Sequence, residues 1–233
     1  MPDIQLALQL FNAFEQNFAN FYPEQNEQVI TCLRKLCAPN PLHNQIYIWG
    51  TNQSGCSHLL QATCIECANH KLSTIYLPLQ QIINFDPTLL QNLEQYDLIC
   101  IDDLHLLGEQ NLWQEELFHL FNRAVSNNSR LLFAANCNVR NLNLQLADLT
   151  SRLNLSLVFQ IKSLSDTNKI KALQLHAKQL GLQLNDEIGQ FIIRHYSRNM
   201  THLVKLLIKL DKISLQEQRK LTIPLVKKAI NYV

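Results

Sequence analysis

Residues Gly50 to Ser57 read G-T-N-Q-S-G-C-S. This is the spacing of a phosphate-binding loop, G-x-x-x-x-G-K-[ST]. In such a loop, backbone N–H groups and a helix N-terminus cradle phosphate oxygens, the lysine reaches the outer phosphates, and the hydroxyl holds Mg²⁺. Here Cys56 stands where the lysine belongs, so the charge is missing. The same residues also suit a plain strand-to-helix turn. Asp102-Asp103 closes the apolar stretch "YDLICID". Paired carboxylates at a strand end can hold Mg²⁺ and polarise an attacking water, or simply make an acidic turn. Asn136 closes "RLLFAA", where a polar side chain can sense a γ-phosphate and where asparagine is also a common turn residue. Arg152, in "DLTSRLNLS", follows an acidic helix-like turn. It can reach out to a phosphate or serve as an ordinary surface arginine.

These residues need strands to aim them. Short apolar runs predict buried strands over Gln45–Trp49, Ser73–Leu77, Asp97–Ile101, Arg130–Ala135 and Leu157–Ile161. Helical patterns lie between them at Ser57–Asn69 and Asn111–Ser126, with a short helix near Pro87–Leu93. Such alternation implies βαβ units and a mainly parallel sheet. From Ser165 the pattern becomes all-helical: one helix ended by Gly181, then Asn185–Tyr196, Met200–Leu215 and Thr222–Tyr232.

Composition narrows the functional classes. A chain of 233 residues, 47% hydrophobic and 17% charged, has room for a large core. A formal net charge of +1 gives no footprint for broad nucleic-acid binding. With only five glycines and seven prolines, turns are sparse and helices dominate. The seven cysteines, odd in number and several in apolar runs, are expected to be reduced thiols of a cytoplasmic protein. Cys64-Ile-Glu-Cys67 reads as a packed helix face, because no second ligand pair follows at zinc spacing. The first residues lack a basic region and long apolar core, so no signal peptide is expected, and no apolar run suits a membrane span.

Taken in order, the strand and loop, "ICIDDLHLL", "LWQEELFHLFNR", "DLTSRLNLS", "LSDTNKIKALQLHAKQLGLQL" and "QRKLTIPLVKKAI" resemble the DnaA-type AAA+ family, most of all its regulatory inactivators. The resemblance covers nearly the whole chain. It implies an α/β fold: an AAA+ P-loop core with a parallel five-stranded sheet over residues 23–163 and a small helical lid over 164–233, preceded by a clamp-binding segment over 1–22. It implies a nucleotide site of Gly50, Gly55, Cys56, Ser57, His58, Asp102, Asp103 and Asn136, with Phe18 and Phe21 lining the base pocket. Ser57 and Asp102 would hold Mg²⁺ if nucleotide binds, and Arg152 would act as an arginine finger in a partner's site.

The first residues add a partner. Ile4, Leu6, Leu8 and Leu10 alternate with polar or small residues, the period of an extended peptide. Gln5-Leu6-Ala7-Leu8-Gln9-Leu10-Phe11 resembles the motif by which bacterial proteins bind the sliding clamp, the DNA polymerase III beta subunit. The same residues can instead dock as a strand on the chain's own body, and Phe11, Phe14, Phe18 and Phe21 recur at helical spacing.

Two departures bear on the chemistry. Cys56 replaces the loop lysine, and Thr201 stands where the resemblance puts a sensor arginine, with Arg198 one turn away. The expectation is therefore weak nucleotide binding, favouring ADP, and negligible hydrolysis by the chain itself. The implied function is an adaptor that binds the DNA-loaded clamp and promotes hydrolysis of ATP on the DnaA initiator, limiting replication initiation. An active ATPase of the remodeller or helicase-loader kind, and a clamp-bound scaffold without effect on hydrolysis, are the alternatives. With no helix-turn-helix after the lid, sequence-specific DNA binding is not expected; a homodimer is left open.

Overall fold

The computed structural model describes residues 16–231. Five strands, β1 (Gln45–Trp49), β2 (Thr74–Pro78), β3 (Leu98–Asp102), β4 (Arg130–Ala135) and β5 (Leu157–Gln160), form one sheet in the order β2-β3-β4-β1-β5. All four pairings are parallel. Every strand therefore ends on the same edge. The chain leaves β1 in one direction and places β5 on its other side, which makes a crevice at those carboxyl ends.

Period-two alternation divides the side chains between the sheet's faces. Tyr47, Ile99, Ile101, Leu131 and Phe133 share a core with Trp113, Leu117, Leu120 and Phe121 of α4 (Asn111–Ser126) and Leu149 and Leu153 of α5 (Ala147–Asn154). Ile46, Ile48, Leu98, Cys100, Leu132 and Ala134, which alternate with them, are buried as well. Burial of both faces is what a parallel sheet requires. The remaining helices of this unit are α1 (Glu27–Leu36), α2 (Cys56–Asn69) and the short α3 (Leu79–Ile82).

Two local expectations are corrected. The helix expected near Pro87–Leu93 is two 3₁₀ turns, Pro87–Leu90 and Leu93–Gln95, separated where Asn92 takes a left-handed φ of 62°. The thiols are also not all reduced. Cys37, at the C-terminal end of α1, is disulfide-bonded to Cys67 of α2, with Cα atoms 4.8 Å apart. That separation lies within the range a disulfide spans. Cys67 is also buried in the helix face, and Cys64 places its sulfur 3.4 Å from that of Cys100.

A second unit holds residues 164–231 together with 19–24. Its helices are α6 (Asp166–Gln179), α7 (Asp186–His195), α8 (Met200–Glu217) and α9 (Ile223–Asn231), around Leu173, Ile188, Ile192, Leu203, Leu207, Leu210 and Val226. Ser165, Asn185 and Asn199 cap three of these helices by accepting from first-turn N–H groups. Gly181, with φ 73°, ends the first. Among the described residues no helix is long and apolar enough to cross a membrane.

Candidate nucleotide site and arginine helix

Parallel strands bring the candidate residues to one edge. Gly50 follows β1, and its N–H donates to the carbonyl of Ala135 at the end of β4 (3.2 Å), so the loop starts beside Asn136. A Cβ on Gly50 would lie 2.4 Å from Ser54 Oγ and 2.9 Å from the Ile161 carbonyl, so only glycine fits. Gly55 is the N-cap of α2 with φ 100°, a left-handed turn that glycine adopts freely. No side chain caps α2. Its first-turn N–H groups are thus free of a side-chain acceptor among the described residues, the arrangement that a helix N-terminus needs to receive an anion.

The side-chain half differs. Cys56 sulfur lies 3.3 Å from Ser54 Oγ. Burial pushes the thiol up to about 12, the Ser54 hydrogen bond opposes this, and the charges of Asp102 and Asp103 add to it. Cys56 is therefore a neutral thiol at ordinary pH and supplies no cation. Ser57, beside it, is exposed. His58 puts Nε2 2.9 Å from the carbonyl of Asn17, which can only accept, so this nitrogen carries the proton. Burial holds the imidazole's pKa down. His58 is thereby engaged with the N-terminal segment.

Asp102 is almost fully buried, and both of its oxygens are occupied. Tyr76 of β2 donates its hydroxyl to Oδ2 at 2.7 Å, and the Asp103 N–H donates to Oδ1 at 2.9 Å. No local sequence pattern points to Tyr76 as a partner of Asp102. The strand pairing β2–β3 supplies this partner, since Tyr76 lies opposite Cys100. Asp103 has a left-handed φ of 60°. Its carboxyl is pushed up to about 6, first by burial and then by the Asp102 charge, with a Gln80 hydrogen bond opposing. Among the described residues no cluster of three or more His, Cys, Asp or Glu could hold a metal. The donors therefore suit Mg²⁺ only as Ser57 and Asp102 acting together with phosphate oxygens. The cradle fits a nucleotide's phosphates, with less charge than usual.

Asp103 gives a pH-dependent stability. Its folded value exceeds the ordinary 3.8, so between pH 3.8 and about 6 the folded state holds this proton more tightly than the unfolded chain. Stability from this group falls as pH rises through that window and stays low above it. Asp103→Asn should raise stability at pH 7.5 by roughly 1 kcal/mol, after discounting for partial exposure, or about 2–4 °C in melting temperature. The gain should vanish near pH 4. A gain of equal size at both pH values in thermal melts would show that ionisation is not its source.

Asn136 is exposed just past β4. Phe18 is buried, the Arg34 guanidinium 5.3 Å from its ring centre, and Phe21, which belongs to the second unit, is buried too. Thr201 is exposed in the first turn of α8, its N–H donating to Asn199 Oδ1. The Arg198 side chain is 72% exposed and pairs with Asp166 at 3.4 Å, so its charge is engaged within its own unit. Gln5, Leu6, Leu8, Leu10 and Phe11 lie outside the described residues.

Arg152 sits in the last turn of a true helix, α5, rather than after a turn. Leu149 and Leu153, one turn apart, are fully buried and fix the helix to the core. Arg152 is exposed, and the ion pairs among the described residues leave it out.

Comparison with known proteins agrees with this geometry. Residues 12–160 match the bacterial DnaA ATPase domain, and residues 166–230 match the lid domain of Hda. Among similar solved structures, domain III of the Thermotoga maritima replication initiation protein DnaA is 19% identical, with a TM-score of 0.77 over 93% of this chain and 96% of that one. A DnaA bound to AMPPCP and single-stranded DNA is 20% identical, with a TM-score of 0.68 over 89% and 69%. AMPPCP-bound DnaA from Aquifex aeolicus is 24% identical, with a TM-score of 0.61 over 82% and 61%. These structures share the AAA+ fold of a parallel sheet followed by a helical lid. The chain belongs to the bacterial DnaA ATPase-domain family, as a DnaA homologue with an Hda-type lid.

Proposed function

We propose that this chain is a regulatory adaptor: it binds the DNA-loaded sliding clamp and promotes hydrolysis of ATP held by the DnaA initiator, so limiting initiation. The observation that carries the reading is Arg152, exposed and without an ion pair among the described residues, on a helix whose other face is locked in the core. A guanidinium held this way costs little to insert into a partner's site, where it stabilises charge on the transferring phosphoryl group. The chain's own cradle carries a neutral Cys56. It therefore serves as a recognition fold that binds nucleotide weakly, ADP before ATP, without turnover. The deciding experiment measures ATP hydrolysis by DnaA with clamp, DNA and this chain, omitting each in turn. Stimulation only when all are present is expected; none with all present leaves a scaffold, and hydrolysis without DnaA makes the chain an ATPase.

Clamp capture should depend on the residues from Gln5 to Phe11, because a few apolar anchors dominate peptide binding. Leu8→Ala should weaken binding to the clamp by about tenfold, as expected for one anchor of a short peptide. Unchanged affinity in surface plasmon resonance would assign this segment to the chain's own body.

A further inference from the structure

Gln114 lies on the inward face of α4 and is fully buried. Both ends of its amide are used. Nε2 donates to the Gly108 carbonyl at 2.6 Å, with that of Leu107 at 3.5 Å, and Oε1 accepts the N–H groups of Gln145 and Leu146, each at 2.9 Å. These partners sit in two loops far apart in sequence. Leu107 and Gly108 close the 3₁₀ turn that starts at Asp103. Gln145 and Leu146 lead into α5, which carries Arg152. Leu146 is the N-cap of α5 and offers no capping side chain, so the helix start is tied down by an amide from another helix.

We propose that Gln114 is a positioning residue for Arg152. It fastens the entry of α5 to the loop after Asp102-Asp103, so that the guanidinium is presented at one height and angle. The proposal rests on Arg152 acting as the finger. Geometry matters at this scale: a 1 Å displacement of a group from its productive position costs up to ~10²-fold in rate. Gln114 acts on rate rather than on capture, because its partners among the described residues, Leu107, Gly108, Gln145 and Leu146, lie far in sequence from the proposed clamp-binding segment.

The test compares DnaA hydrolysis on DNA-loaded clamp for the natural chain, Gln114→Leu, Gln114→Glu, Arg152→Ala and the Leu/Ala double variant. Gln114→Leu should lower the saturating stimulated rate by about tenfold, within the range expected of small misplacements, and leave the half-maximal concentration unchanged. Gln114→Glu keeps both accepted bonds but sets an oxygen against the Gly108 carbonyl in place of the donor, so the tie to the loop is broken and the rate should fall as in Gln114→Leu. The double variant should be no worse than Arg152→Ala alone, since both changes act through one guanidinium. Hydrogen exchange at the Gln145 and Leu146 amides should quicken in Gln114→Leu and not in Gln114→Glu. A natural rate in Gln114→Leu, or added losses in the double variant, overturns the proposal alone. Normal stimulation by Arg152→Ala overturns the finger reading and the proposal with it. If Gln114→Leu unfolds the body, Leu146→Pro replaces it. A φ of −81° suits proline, and the change removes one of the two N–H donors from the opposite side. The same loss at saturation is expected, and a natural rate overturns the proposal.

Discussion

Arg152→Ala should reduce clamp-dependent stimulation of DnaA hydrolysis by about a hundredfold or more, toward the ~10³–10⁵ that arginine fingers contribute in GTPases. Binding to the clamp should be unchanged, because the segment proposed to carry it lies far away in sequence. Stability should also be nearly unchanged. The side chain is exposed and outside every ion pair of the described residues, and the buried Leu149 and Leu153 that hold α5 remain. Arg152→Lys keeps the charge and loses the planar fork that meets two phosphoryl oxygens at once, so it should recover little. The comparison is made at equal occupancy of the clamp by natural and variant chains. If the alanine variant stimulates as the natural chain does, Arg152 is a surface residue and hydrolysis is promoted by another group.

What the sequence disclosed follows the range of each interaction. Strands β1 and β4 and helix α4 have the bounds their apolar patterns predict, because burial of a strand or helix face is written locally in residue periodicity. The helix at Ala147–Asn154 was legible only as a turn. Its signal is the Leu149/Leu153 pair, too short a stripe to set a period by itself. The loop after β1 showed its glycines because close approach and a left-handed turn restrict residue type, as Gly50 against Ser54 and Ile161 and Gly55 at φ 100° demonstrate. The Tyr76–Asp102 bond and the Cys37–Cys67 bridge join separate elements, and no local pattern announces such pairings. Gln114 is intermediate. A glutamine amid Trp113, Leu117, Leu120 and Phe121 on a core-facing stripe is an anomaly that sequence can flag, but its partners appear only once two loops meet.

Cys56→Lys should strengthen ADP binding by about tenfold to a hundredfold, the equivalent of one charge-assisted hydrogen bond of roughly 1.5–3 kcal/mol. The thiol it replaces is neutral and half-buried, beside Ser54 Oγ and within the field of Asp102 and Asp103. An ammonium there would face negative charge on both sides, from the bound phosphates and from the two carboxylates. The backbone cradle is already formed, with Gly55 turning the chain into an uncapped helix start. The gain should come with a second, independent mark: the new charge should draw the Asp103 carboxyl down from about 6, flattening the pH dependence of stability between pH 4 and 6. Hydrolysis should remain negligible, because Thr201 still stands where the resemblance puts a sensor arginine and Arg198 stays paired with Asp166. Calorimetric titration with ADP and ATP separates the outcomes. A lowered Asp103 pKa without tighter ADP binding would mean that the loop does not cradle phosphate. Sub-micromolar ATP binding by the natural chain would mean that the missing lysine is replaced by another cation.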